Sequence, residues 1–249
     1  MTSEPRPKPL LLHLNVGDRY QIRARFLPGI LSILVVFPIG AAAGLAVTSW
    51  VPVLISGIGL GAVLGVAVSH LASAAGNRAQ ERLWPRWPHD APTNRWLHPN
   101  DRSRSQQQKE NWYDAIQRLA KLDVRAVAGD EREVQLVVED AVSTIRARLW
   151  KTKYSDRLNV HNADYGFARN MLGLQPVWLA GAILSCGGCW ALFTFRQAAV
   201  AWPGIATVIL AFCLVLVWWL PEYVRQKAHR YAESFFGALL DLDRDSRAI

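Results

Sequence analysis

A chain of 249 residues that is 51% hydrophobic, 19% charged and carries 11 tryptophans is more apolar than a soluble globular protein, in which roughly 25% of residues are charged. Its formal charge is +8 and it has three cysteines. These values exclude a soluble enzyme, a secreted disulfide scaffold and a disordered chain.

Taken in chain order, residues 1–25 form a polar segment whose short apolar cluster is too weak for a cleaved secretory signal, so the first apolar stretch is expected to stay as an anchor. No Asp, Glu, Lys or Arg occurs between Phe26 and Asn77, between Met171 and Phe195, or between Gln197 and Pro221. About 20 helical residues cross a hydrocarbon core of roughly 30 Å. The pattern therefore predicts an all-α integral membrane protein with four transmembrane helices in two hairpins. The first hairpin covers 26–76, with helices near 27–47 and 52–75 separated by Thr48 to Pro52. The second covers 171–221, with helices near 174–195 and 203–220 separated by Arg196 and Trp202-Pro203, because proline suits the first turn of a helix.

Four spans put both termini and the middle segment, 77–170, on one side. Of the 28 Lys and Arg, 27 fall on that side and only Arg196 on the other. Positive charge accumulates in cytoplasmic loops, so the expected location is the bacterial inner membrane, with both termini cytoplasmic and residues 222–249 a cytoplasmic tail. The middle segment shows two amphipathic patterns. Ser103 to Lys121 places Trp112, Ile116 and Leu119 on one face. Asp130 to Lys153 does the same with Val134, Val138, Val142, Ile145 and Leu149, with acidic residues in its first turn and basic ones in its last. Two such faces make a thin core. The segment reads as a helical appendage leaning on the membrane helices or on neighbouring subunits, with an independently folding domain as the alternative.

Within the second span, Gly57, Gly61, Gly65, Ser69 and Ser73 recur at every fourth position. Such a stripe lets helices approach closely in lipid, either within the chain against Gly40 and Gly44 or between subunits. Ser56, Ser69, His70 and Ser73 are the pore-lining candidates, although His70 also lies near enough to the cytoplasmic mouth to reach headgroups. The spans lack Asp, Glu, Lys and Arg, which argues against ion-coupled transport and leaves a passive path open. Cys186-Gly-Gly-Cys189 has redox spacing but lies inside a span, where helix packing explains it better. The arginine-rich, Trp-interleaved stretch from Arg78 to Arg104 suits anionic headgroups or phosphates. No metal-ligand spacing, phosphate-cradling glycine loop or catalytic constellation is present, so neither enzymatic activity nor a cofactor is expected.

Three blocks carry a resemblance. DRYQIRARFLPGIL (Asp18 to Leu31), PTNRWLHPND (Pro92 to Asp101) and YGFARNMLGLQP (Tyr165 to Pro176) resemble a family of bacterial four-span inner-membrane proteins, similar to the transmembrane effector of Hailong-type anti-phage defence systems. The family pattern has Thr where Asn94 stands and Arg where Ala168 stands. The resemblance implies a homo-oligomeric ion channel, a tetramer as first guess, held or gated from the cytoplasmic side by a nucleotide or oligonucleotide from a partner nucleotidyltransferase. Arg95 and Arg169, each within a matching block, would then contact its phosphates. Loss of the second arginine at Ala168 would weaken that binding. The competing expectation is a non-channel scaffold or anchor that recruits a cytoplasmic partner.

Overall fold

A computed structural model describes residues 20–44, 58–125 and 130–248, with the backbone alone over 58–66. Ser56 and Gly57 lie outside the described residues, as does the turn expected at Thr48 to Pro52, and the surroundings of Gly61 and Gly65 are likewise not described. Every regular element among the described residues is helical.

A π-helical turn at Ile22–Phe26 leads into α1 (Leu27–Leu34), which is followed by α2 (Phe37–Ala42). One continuous helix was expected here, and the chain instead breaks at Val35 and Val36. Pro38 has no N–H to offer the Leu34 carbonyl and its ring crowds that oxygen, so the helix stops and restarts. The Val36 N–H donates to the Ile33 carbonyl at 3.1 Å, a tighter turn than an α-helix makes.

Next come α3 (Ile58–Leu83), α4 (Pro92–Leu97), α5 (Gln106–Ala120), α6 (Glu131–Leu149), α7 (Ser155–Gly173), α8 (Gln175–Arg196) and α9 (Ala201–Arg247). α5 and α6 follow the two amphipathic patterns. Ser105 caps α5 by accepting the Gln108 N–H, and Asp130 caps α6 by accepting the Arg132 N–H. All of the apolar positions predicted for their inner faces are buried.

Within the segment 222–249, expected as a tail, residues 222–247 form the second half of α9. This 47-residue helix is about 70 Å long at about 1.5 Å per residue. Past Pro221 it places Ala228, Ala232, Phe235, Phe236 and Leu239 at helical spacing and buries them all. Phe236 stacks on Trp112 at 3.9 Å between centroids, and Trp96 lies 6.2 Å away. Together with Leu97, Ile116, Val138, Ile145 and Leu149, the residues Ala232, Phe235, Phe236, Leu239, Trp96 and Trp112 make one core, while Ala228 packs with Trp84, Tyr165 and Val224. The middle segment thus gains its missing third wall from the chain's end.

The other half of the molecule is different in kind. Among the described residues, α8 and α9 are long and apolar enough to cross a membrane, and only 28% and 22% of their apolar windows is buried. A core helix of a soluble protein would hide most of such a window. Leu184, Phe195, Val208, Val215 and Trp218 point outward here.

Several contacts pin the junction between the two halves. Trp178 Nε1 donates to the Met171 carbonyl at 3.0 Å. Asn170 donates to the Ala24 carbonyl at 2.6 Å, joining α7 to the π-helical turn. Asp164 receives Arg23 at 2.7 Å and Lys227 at 3.0 Å, so one carboxylate ties the π-helical turn to α9. Gly76 of α3 and Gly173 of α7 lie where the two backbones meet, Gly173 against the Ala75 carbonyl.

Candidate functional site

Two cavities flank α4, of about 600 Å³ and about 670 Å³. Ala91 leads into α4 with extended backbone and Pro92 occupies its first turn, so the helix starts abruptly and turns Thr93, Asn94, Trp96 and Leu97 inward. Arg95 is left outside. Asn94 lines both cavities and α6 walls both, with Glu131, Gln135 and Val138 on the first and Glu139, Ser143 and Arg146, followed by Trp150, on the second.

The first cavity contains Arg95, whose Nε lies 3.0 Å from Asp101. Burial works against the Asp101 charge, but hydrogen bonds from the Ser103 hydroxyl and N–H and from Arg95 outweigh it, and the carboxyl sits below its ordinary range. Arg86 is likewise committed, to Asp90 at 2.8 Å. His98 faces Glu131 at 3.3 Å. His229 meets the Trp96 edge at 5.5 Å, and burial, then the nearby Arg104, hold it below the usual histidine value. Arginine and acid are matched here, and Arg95 is already paired.

The second cavity contains Arg169. Its Nη1 donates to Gln80 Oε1 at 3.1 Å, and the same oxygen accepts the Tyr165 hydroxyl at 2.7 Å. Burial raises the Tyr165 phenol well above its ordinary value, so it stays a donor. A second guanidinium, Arg146 on α6, lines the same cavity, and its Nε is buried with no hydrogen-bond partner. Trp87 and Trp150 stand partly exposed on the walls, 39% and 40% respectively. Arg146 escaped the sequence reading because it lies on the polar side of an ordinary amphipathic helix. Only the fold turns it towards Arg169.

Arg95 and Arg169 are therefore not brought together; α4 stands between their cavities. Ala168 lines neither cavity. It is fully buried among Trp84, Tyr165, Val224 and Ala228 between α7 and α9. On α3, Ser69 is buried, Ser73 half-buried and His70 exposed. Cys186, Cys189 and Cys213 are free thiols. Compared with family models, curated proteins and solved structures, the chain finds no match, so the site rests on its own geometry.

Proposed function

We propose that the chain is a multi-pass inner-membrane protein with four spans, its helical domain and both termini on the cytoplasmic side, and that it works as a homo-oligomeric channel gated from that domain. One observation carries the reading. α9 runs without interruption from the exposed apolar half into the core of the polar half, so a rearrangement around its inner end is mechanically joined to its outer end. An anchor for a recruited partner needs no such rigid link. The charge asymmetry of the sequence supports the side assigned. The three resembling blocks support an effector role in bacterial defence with a nucleotide-type ligand, for which Arg95 serves as the contact. A ligand biases gating only by binding one arrangement better than the other.

Reconstitution into planar bilayers tests this. The full chain is expected to pass current that changes on adding nucleotides, and its unregulated overexpression to depolarise cells and slow growth. A bulky apolar residue at Ser73 or His70 should reduce both effects if α3 lines the path. A protein that is electrically silent with and without nucleotides, and harmless when overexpressed, is a scaffold.

A further inference from the structure

The second cavity has a charge pattern that fits neither a simple anion nor a simple cation. Two guanidinium groups, Arg146 and Arg169, share its lining with three carboxylates, Glu81, Glu139 and Asp140. Glu139 is taken by His89 at 2.7 Å, whereas Glu81 and Asp140 are exposed and their carboxylates have no partner among the described residues. The buried Arg146 Nε lacks an acceptor, and such a group is costly to leave unpaired. A polyanion would satisfy the arginines but meet the acids. A molecule with a phosphate beside an ammonium group would satisfy both.

The position of the cavity narrows the source. Its lining includes Asn77, next to Gly76, at the level where α3 crosses α7 and just before α8 begins at Gln175. If α8 and α9 are spans, as proposed above and on which this inference rests, the Asn77 end of the cavity lies at the headgroup layer and its Tyr231 end in the polar half. The volume of about 670 Å³ admits a headgroup, and the partly exposed Trp87 and Trp150 offer aromatic faces to an ammonium. We infer that this cavity is a binding site for a zwitterionic phospholipid headgroup, its phosphate on Arg146 and Arg169 and its ammonium towards Asp140 and Glu81.

Native mass spectrometry of the detergent-purified full chain tests the site. Phosphatidylethanolamine should be retained about tenfold or more tightly than phosphatidylglycerol, which has the phosphate without the ammonium. Arg146→Gln should lose the phosphatidylethanolamine adduct. Asp140→Asn, on an exposed rim where folding is not at stake, should leave binding but narrow the preference. Equal retention of the two lipids by the parent chain, or a preference untouched by both variants, overturns the site. Soluble glycerophosphoethanolamine bound as tightly as the lipid overturns the membrane as its source. A chain recovered in the soluble fraction without detergent sinks the membrane reading itself, whereas one that inserts and does not discriminate sinks only this inference.

Discussion

Lys109 is 1% exposed, and its ammonium donates to the carbonyls of His98, Pro99 and Asp101 at 2.6, 3.0 and 2.7 Å. It does for the end of α4 what a bound cation would do, gathering three carbonyl oxygens, of which only that of His98 also accepts a loop N–H, from Asp101. Burial holds its pKa below the ordinary lysine value, with Asp101 and Glu110 opposing. Lys109→Met keeps the volume and removes the donors, so it should cost about 3 kcal/mol, read as a drop in denaturation midpoint. Asp243 is the acidic counterpart. It is 1% exposed and receives Arg118 through two bonds of 2.8 Å and Arg247 at 2.6 Å. The Arg118 hydrogen bonds, against burial, hold its carboxyl below the usual value. For a depressed carboxyl the stabilisation is complete above the unfolded pKa of about 3.9 and is lost as pH falls through the lower folded value. Thermal melts should therefore show the parent losing stability below about pH 4. Asp243→Asn should be about 2 kcal/mol less stable at pH 7 and show a shallower acid loss. An unchanged acid profile in that variant would assign the loss to other carboxylates.

At the scale of the element, α3 and α7 meet without room for a side chain. A Cβ on Gly173 would collide with the carbonyl carbon and oxygen of Ala75, backbone atoms that do not swing aside. Gly173→Ala should cost about 1–3 kcal/mol and loosen the crossing beside Arg169. Gly187→Ala on α8 is the control, because nothing lies within 4 Å of its added carbon, and its melting point should match the parent's. Equal behaviour of the two variants would mean that the crossing relaxes freely. The close approach seen here is made by glycines outside the stripe singled out by its spacing, and the surroundings of Gly61 and Gly65 are not described. Gly76 and Gly173 stand 97 residues apart and share no periodic pattern, so only the fold pairs them.

At the scale of the whole molecule, α9 joins an apolar half to a polar core and restricts topology in a way charge counting does not. Its inner end packs with Trp96 and Trp112, so residue 104 and the C-terminus belong to the same side. Reporter fusions after Arg104 and at the C-terminus should give the same signal, a cytoplasmic one, and the protein should resist alkaline extraction from membranes. Opposite signals from the two fusions would be incompatible with the core formed by α5, α6 and α9.

What the sequence determined by itself was local. Uncharged runs marked apolar stretches, and the spacing of Trp112, Ile116 and Leu119 and of Val134 to Leu149 marked two helices, because each helix carries the record of its own buried face. The pattern Ala228, Ala232, Phe235, Phe236, Leu239 was equally legible, yet behind Pro221 it read as a tail, since periodicity says that a face is buried and not what covers it. Tertiary structure alone decided that this face closes the polar core, that Arg95 and Arg169 look into different cavities, and that Arg146 joins Arg169. Those outcomes depend on the rotation of each helix against neighbours far away in the chain. That rotation is set by packing across the whole molecule, and no short window of residues encodes it.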